Sequence, residues 1–294
     1  MAQSETPPAA PGSYTDSTSP DASFYDASST GTPLLGGWSM LASSAVVELL
    51  LRSGFDWVCL DAQHDQYDDG AVAAALAMTR HLNTPVLVRV AANDAAMIGR
   101  PLDAGAAGVI VPMVNDAAEA DRAVRACLYP PSGDRSRGPF EVHRGRGFPT
   151  VEEANASMQI GVMVETARAL ASLEEIAAVP GVGFIFVGPL DLSIDLGTTI
   201  DGLLAGDGDG NAAGGRQLER GGRQLERGGR HLERIVRVCR EKGIGSGIFT
   251  TNPDHLETFK ALGFGRIAAA TDVSLLQTSA RDLLAGQGRN RPGQ

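Results

Sequence analysis

The chain has 294 residues, which suits one large α/β barrel domain, and 43% of them are hydrophobic, enough for a substantial core. Its net charge of −10 argues against a nucleic-acid-binding protein, which needs a basic face. No apolar run is long enough to predict a membrane span, and the N-terminus lacks the pattern of a secretory signal. The three cysteines are widely spaced and form no metal-ligand pattern, so we expect reduced thiols in a cytoplasmic protein.

The first segment, residues 1–33, is rich in Ser, Thr, Pro, Ala and Asp and contains few large apolar residues. Burial within such a segment cannot offset the entropy lost on ordering, so we predict a disordered tail. We expect one folded domain over residues 34–286, followed by a short tail at 287–294.

From Leu34 onwards, short apolar runs alternate with stretches of helical periodicity. The predicted strands are Leu34–Trp38, Trp57–Asp61, Val86–Val90, Gly108–Pro112, Ile160–Glu165, Gly183–Val187, Gly245–Phe249 and Arg266–Ala270. The predicted helices are Ser44–Ser53, Gly70–His81, Ala95–Ala104, Ala117–Cys127, Ala167–Ala178, Leu232–Lys242 and Pro253–Leu262. Strands that are apolar throughout and separated by helices indicate a parallel sheet covered on both faces. Eight such units favour a (β/α)8 TIM barrel over the competing doubly wound open sheet.

Glycines follow several of the predicted helices at the position where a left-handed residue is commonly needed. They are Gly54, Gly105, Gly181, Gly243 and Gly263.

Three near-identical heptads of the form GGR(Q/H)LER occupy residues 214–234. One Leu per heptad is too narrow a stripe for a coiled-coil seam, and the Gly pairs disfavour a helix. We interpret the first two copies as part of a flexible insertion at about 201–230, with residues 201–213 also in a loop. The third copy is expected to merge into the following helix.

Candidate side chains, all polar except Met113, stand at the carboxyl ends of five successive predicted strands, the end of a barrel that carries its active site. These candidates are Asp61, Gln63, His64, Arg89, Met113, Glu165 and Asp191. Each alone has an ordinary structural explanation, such as a helix N-cap or a surface charge. Their shared placement is what indicates an active site.

Glu165 and Asp191 are the candidate metal ligands, because two carboxylates without nearby thiolates suit a hard divalent cation. A 2-oxo acid can chelate such an ion through its carboxylate and keto oxygens, and the ion then stabilises the enolate. Backbone N–H groups where GPLDLS turns into a helix are candidates to hold the substrate carboxylate.

Enolate chemistry also needs a base and a cation. His64 is the candidate base, and Arg89 offers a fixed fork for a carboxylate and for developing oxyanion charge. The rival aldolase strategy is a lysine Schiff base, but the two lysines, Lys242 and Lys260, lie in predicted helices. The sequence therefore favours the metal-dependent route.

These motifs resemble the HpcH/HpaI family of class II, metal-dependent pyruvate aldolases, which includes 4-hydroxy-2-oxoheptanedioate aldolase. The resemblance spans about Leu34 to Leu284 and rests on several segments in a fixed order. They are GW-S at 37–39, ELLLRSGFDWVCLDAQH at 48–64, VRV–ND at 88–94, LDAGAAGVIVPMV at 102–114, YPPSGDRSRGP at 129–139, VMVET at 162–166 and VGPLDLSIDLG at 187–197.

The resemblance implies a barrel of the phosphoenolpyruvate/pyruvate-binding type and a role for each matching residue. Glu165 and Asp191 match the ligands of a divalent metal (Mg²⁺, Mn²⁺ or Co²⁺), and His64 matches the catalytic histidine. Asp103 matches an aspartate that orients this histidine, and Asp61 matches an acidic residue near the metal-bound water. Arg89 matches the arginine that stabilises the pyruvate enolate, and the candidate substrate-binding residues are Arg89, Gln63, Gly188, Pro189, Leu190, Met113 and Trp38. The resemblance also implies a homo-oligomer, a hexamer or trimer of dimers, in which the two chains of each dimer exchange a C-terminal helix.

Three positions depart from the family pattern. Gln63 stands where many members have Glu, Asp65 replaces a frequent Gly, and Leu190 is bulkier than the Ala of several members. These differences leave the identity of the aldehyde open.

The leading hypothesis is an aldolase, a lyase that interconverts a 4-hydroxy-2-oxo acid with pyruvate or a related 2-oxo acid plus an aldehyde, through a metal-bound enolate. A second hypothesis keeps the enolate but forms it by decarboxylating oxaloacetate, as in a biosynthetic enzyme similar to macrophomate synthase. A third is a non-catalytic scaffold on a decayed barrel, in which the heptads and the tail bind partners.

Overall fold

Eight parallel strands close into a barrel in which each strand pairs with the next and the eighth pairs with the first. The computed structural model describes residues 31–138, 149–205 and 229–287. The strands are β1 (Leu34–Ser39), β2 (Trp57–Asp61), β3 (Val86–Arg89), β4 (Gly108–Val111), β5 (Gln159–Val164), β6 (Phe184–Val187), β7 (Gly245–Phe249) and β8 (Arg266–Thr271). The predicted TIM barrel is confirmed, and every predicted strand is present with its ends shifted by at most one residue.

Helices cover the outside of this barrel. In the described ranges they are α1 (Ser44–Arg52), α2 (Asp69–Thr79), α3 (Ala95–Asp103), α4 (Ala117–Cys127), α5 (Val151–Ala156), α6 (Ala167–Ala171), α7 (Leu173–Ala177), α8 (Pro189–Asp195), α9 (Ile200–Ala205), α10 (Gly229–Lys242), α11 (Pro253–Leu262) and α12 (Asp272–Gly286). None of them is long and apolar enough to cross a lipid bilayer.

The residues that begin and end the helices explain most of these bounds. Asp68, Asp94 and Asp116 each accept hydrogen bonds from backbone N–H groups in the first turn of α2, α3 and α4. All five glycines predicted to follow helices have positive φ, for example 90° at Gly263. The predicted helix Ala167–Ala178 is divided in two at Ser172, whose N–H donates to carbonyl groups of the preceding turn.

Three helices, α5, α9 and α12, were not predicted, and α8 was expected only as a helix that begins after the GPLDLS turn, without defined bounds. The interpretation of residues 201–213 as a loop is wrong for 201–205, which belong to α9 because Leu203 is fully buried in the core. The third heptad merges into α10 as predicted, and its Leu232 is also fully buried. The first two heptads, residues 1–30 and the last residues of the chain lie outside the described ranges.

Side chains from the strands form two apolar layers. One lies between the strands and the helices and includes alternate strand residues such as Val58, Leu60 and Val88. The other fills the inside of the barrel with Trp38, Trp57, Cys59, Leu87, Ile110, Met163, Phe184, Phe186 and Ala268. Because both faces of each strand are buried, most residues of the strands are apolar.

A buried carboxylate joins the first and last units of the barrel. Asp272, the first residue of α12, accepts hydrogen bonds from the Ser39 hydroxyl at 2.9 Å and from the N–H groups of Met40 and Leu41 at 3.0 and 3.1 Å. The Ser39 hydroxyl also lies 2.7 Å from the hydroxyl of Tyr67, in the loop after β2. This network fixes the loop after β1 at the rim where the candidate residues lie.

We expect Asp272→Ala to lower the free energy of unfolding by about 3 kcal/mol, because several buried donors lose their acceptor at once. Urea denaturation of the wild type and the variant measures this difference. The matched control is Asp282→Ala, which removes an exposed carboxylate from the same helix and should change stability by less than about 0.5 kcal/mol. Equal effects of the two variants would contradict the structural role of Asp272.

Candidate active site

A buried ion pair lies at the carboxyl ends of β2 and β3. Asp61 and Arg89 are the last residues of these strands, which pair directly in the sheet. The Arg89 guanidinium donates from Nε to Asp61 Oδ1 at 2.9 Å and from Nη2 to Asp61 Oδ2. The indole Nε1 of Trp38 donates to Oδ2 at 3.1 Å, and the Gln63 N–H donates to Oδ1 at 3.0 Å. Both carboxylate oxygens of Asp61 are therefore held.

The ion pair changes the proton affinities of both partners. Burial alone would raise the pKa of Asp61, but the hydrogen bonds and positive charge of Arg89 outweigh burial and lower it to about 2. Burial would lower the pKa of Arg89, but Asp61 outweighs this and raises it. The Arg89 guanidinium also lies over the Trp38 ring, 5.1 Å from its centroid. Asp61 is thus an anion and Arg89 a cation throughout the physiological range.

A second acidic centre is formed by residues after β5 and β6. Glu165 follows β5 and is buried, and its Oε1 accepts a hydrogen bond from the Met113 N–H at 2.7 Å. Met113 has a left-handed backbone with φ of 56°, a conformation that is uncommon for a residue other than glycine. Gly188 approaches the other oxygen closely, since a Cβ there would lie 2.6 Å from Glu165 Oε2. Any larger residue at position 188 would displace the carboxylate.

Asp191, in the first turn of α8, lies close enough to Glu165 for their negative charges to interact. Burial raises the pKa of Glu165, the Met113 N–H opposes this, the charge of Asp191 raises it further, and Arg89 lowers it. A divalent cation between the two carboxylates would relieve this repulsion. The described residues include no cluster of three or more His, Cys, Asp or Glu side chains arranged to hold a metal. Two carboxylates are hard oxygen donors, and this donor set fits a hard cation that takes its remaining oxygen ligands from water or substrate.

The two centres lie near each other, since the positive charge of Arg89 lowers the pKa of Glu165. Arg89 uses Nε and Nη2 for Asp61, and no described residue accepts a hydrogen bond from its Nη1. Arg89 thus presents donors next to the carboxylate pair. The arrangement can hold an anion between a cation-binding carboxylate pair and a fixed guanidinium.

His64 and Asp103 are not brought together within this single chain. His64 is exposed in the loop after β2 and makes no side-chain hydrogen bond with a described residue. Asp103, at the end of α3, accepts a hydrogen bond from Arg135 Nη2 at 2.7 Å. The guanidinium of Arg135 stacks on the Tyr129 ring, 4.7 Å from its centroid. Arg135, the last residue of the YPPSGDR motif, is therefore held between Tyr129 of the same motif and Asp103 of α3.

The remaining candidates surround the acidic centre. Pro189 is buried at the start of α8, whereas Leu190 and the side chain of Met113 are more than half exposed. The Oε1 atom of Gln63 is buried without a hydrogen-bond donor among the described residues. Exposed apolar groups thus border a site whose inner part is charged.

Comparison with known proteins identifies the lineage of this barrel. The sequence pattern of the HpcH/HpaI aldolase/citrate lyase family matches residues 34–279. The chain belongs to the HpcH/HpaI aldolase/citrate lyase family. The resemblance found in the sequence motifs is confirmed by this match.

Two proteins similar to this chain are named as aldolases. The chain is 35% identical to a hydroxypyruvate/pyruvate aldolase from Paraburkholderia phytofirmans over 86% of this chain and 92% of that protein. It is also 35% identical to a 2-dehydro-3,6-dideoxy-6-sulfogluconate aldolase from Pseudomonas putida, over 88% and 94% of the two chains. The crystal structure of a family member from Burkholderia cenocepacia superposes with a TM-score of 0.75 at 28% identity, covering 92% of this chain and 99% of that one.

Three residues at the site were not given a role by sequence reasoning. Arg135 was visible within the quoted YPPSGDR motif, but its partner lies 32 positions earlier in the chain. Asp65 was noted as a departure from the HpcH/HpaI pattern without a function. The role of Asp272 was the hardest to predict from the sequence, since its partners lie more than 230 positions away in the chain.

We expect Asp61→Asn to lower the free energy of unfolding at pH 7 by about 3–5 kcal/mol, because it leaves the buried Arg89 charge without its partner. The pKa of Asp61 is depressed, so the stability from this pair is full above the unfolded-state pKa and is lost as pH falls towards 2. The loss caused by Asp61→Asn, measured by urea denaturation, should therefore be smaller at pH 3 than at pH 7.

The double variant Asp61→Asn/Arg89→Gln provides the control, since it removes both charges together. It should be less destabilised than the sum of the two single variants. Strict additivity would contradict the coupling of the pair.

Proposed function

We propose that this chain is a divalent-metal-dependent aldolase. It interconverts a 4-hydroxy-2-oxo acid with pyruvate or a related 2-oxo acid plus an aldehyde. The observation that carries the proposal is the pair of acidic side chains, Glu165 and Asp191, beside the donors of Arg89 at the carboxyl ends of the strands. The names of the similar aldolases from Paraburkholderia phytofirmans and Pseudomonas putida support the same reaction class.

Each residue has a distinct task in this reaction. Glu165 and Asp191 would hold Mg²⁺, Mn²⁺ or Co²⁺, which supplies Lewis acidity to the keto oxygen of the substrate when bound. Arg89 binds the negative charge of the 2-oxo acid and stabilises the oxygen of its enolate. Backbone N–H groups in the first turn of α8, after Gly188 and Pro189, are available to the substrate carboxylate.

Cleavage then needs a single base. His64 accepts the proton of the C4 hydroxyl, either directly or through a water molecule. The electron pair of the C3–C4 bond passes into the enolate of the 2-oxo acid, and the C4 carbon leaves as the aldehyde. A proton returned to C3 completes the 2-oxo acid. In this proposal Asp103 and Arg135 fix the neighbouring rim, Trp38 and Asp61 fix Arg89, and Gln63, Met113 and Leu190 border the substrate.

The proposal is tested by exchange of the pyruvate methyl protons with D₂O, followed by proton NMR. Exchange should require added Mg²⁺ or Mn²⁺ and stop with EDTA. Glu165→Gln and Asp191→Asn should each slow it by about 100-fold or more. Glu152→Gln, which neutralises an exposed carboxylate on α5, should leave the rate unchanged. Absence of exchange with every divalent ion, in protein shown to be folded, would rule out the proposed chemistry.

We also propose that the chain forms a homo-oligomer through α12. Of the 15 residues of this helix, Asp272 alone is buried, and Leu276 and Leu283 are 67% and 68% exposed. A helix whose leucines are exposed in the single chain presents an apolar surface that a partner subunit can cover. This agrees with the exchange of a C-terminal helix implied by the family resemblance.

We expect Leu276→Glu to shift the protein towards smaller species in sedimentation velocity, because it places a charge in the apolar surface of α12. The control is Gln277→Glu, which adds the same charge at the neighbouring exposed position. A wild-type protein that sediments as a monomer at all concentrations would contradict the assembly.

A further inference from the structure

Asp65 lies in the loop between β2 and α2, four positions after Asp61. The carboxyl groups of these two residues are within hydrogen-bonding reach of each other. Asp61 already accepts hydrogen bonds from Arg89, Trp38 and the Gln63 N–H. Asp65 is therefore an additional carboxyl group placed directly against the ion pair.

Within the part of the chain that the structure describes, no residue donates a hydrogen bond to Oδ2, the buried carboxyl oxygen of Asp65. The charged groups that act on it are Asp61 from β2, Arg89 from β3 and Asp272 from α12. The first and last of these are anions, and the guanidinium of Arg89 is already engaged by Asp61. An ionised Asp65 would thus be repelled from two sides.

Two carboxyl groups within hydrogen-bonding reach of each other need one proton to form a hydrogen bond. Arg89 and Trp38 stabilise the ionised form of Asp61, so the proton belongs on Asp65. A protonated Asp65 changes from an acceptor into a donor, and Asp61 becomes the acceptor. This assignment removes the repulsion and gives Asp61 a further hydrogen bond.

We propose that Asp65 is a positioning residue, whose protonated carboxyl group donates to Asp61 and so holds Asp61 and Arg89 in the arrangement that binds the 2-oxo acid. The inference about the reaction rests on the proposed aldolase function. The location of the proton does not depend on it.

The proton affinity of Asp65 agrees with this geometry. Burial raises its pKa first, contact with Asp61 and the charge of Asp272 raise it further, and Arg89 opposes them, which leaves a pKa of about 7. Above this pH the group loses its proton to solvent and adds a negative charge beside Arg89. We expect an anionic substrate to bind less well in that state, so KM should rise with pH.

Thermal unfolding of the full chain tests where the proton lies. The folded pKa of Asp65 is raised above its unfolded value, so the wild type loses stability as pH rises from about 4 to 7. Asp65→Asn and Asp65→Ala cannot titrate and lack this loss. The Tm of each variant minus that of the wild type should therefore increase between pH 5 and pH 8. Asp121→Asn, an exposed control, should show a constant difference.

The same data separate the donor from the charge. Asp65→Asn keeps an N–H group for Asp61, so its Tm should exceed that of Asp65→Ala at every pH. A Tm difference that stays flat with pH, for both Asp65 variants, would overturn the proposal. Should Asp65→Asn fail to fold, Asp65→Ala alone still reports the pH dependence.

Steady-state cleavage of a 4-hydroxy-2-oxo acid tests the role in the reaction. Asp65→Asn should match the wild type at pH 6 and exceed it in kcat/KM by roughly tenfold or more at pH 8.5, mainly through KM. Asp65→Ala should be weaker than Asp65→Asn at both pH values. If Asp65→Asn follows the wild-type pH profile, the positioning role is overturned. If the wild type cleaves nothing, the proposed function fails, whereas the Tm comparison still decides the state of Asp65.

Discussion

The ion pair between Asp61 and Arg89 is the interaction on which the candidate site depends. A buried pair of charges is costly unless its remaining hydrogen-bonding groups are satisfied. Here Trp38 and the Gln63 N–H contact the carboxylate, and the Trp38 ring lies against the guanidinium. These requirements explain why polar residues gather at the ends of the first three strands, and they hold Arg89 where its charge reaches Glu165.

Most of the fold could be predicted from the sequence, because burial on both faces makes each strand a largely apolar run, while several helices bury one face and are amphipathic. Glycines with positive φ, such as Gly105 and Gly181, also mark local backbone geometry that sequence patterns encode directly. The short helix α9 was missed because its burial depends on Leu203 meeting the distant core. Helix α12 was missed although Thr271 and Ser274 form a capping box at its start. Its leucines are not covered by the described part of the chain. The helix therefore has no apolar stripe facing the core, which is the pattern that would have predicted it.

The strand-end rule brought most of the site together, because parallel strands must place their carboxyl ends at one rim. This is how Asp61, Arg89, Glu165 and Asp191 could be grouped before their contacts were known. The rule has no information about loops, and there the sequence was less informative. The pairing of Asp103 with Arg135, and the contact of Asp65 with Asp61, depend on loop conformations set by residues far apart in the chain. Such contacts leave no periodic signal.

The aromatic filling of the barrel closes the site from below. Trp38 stacks on Phe186, with ring centroids 5.6 Å apart, and Phe186 contacts Trp57 deeper in the interior. A molecule bound against Arg89 therefore enters and leaves through the opening at the carboxyl end of the barrel. If it is a keto acid with its charged end innermost, the aldehyde half lies nearer the exit. Under the aldolase reaction proposed above, the aldehyde would then leave before the keto acid.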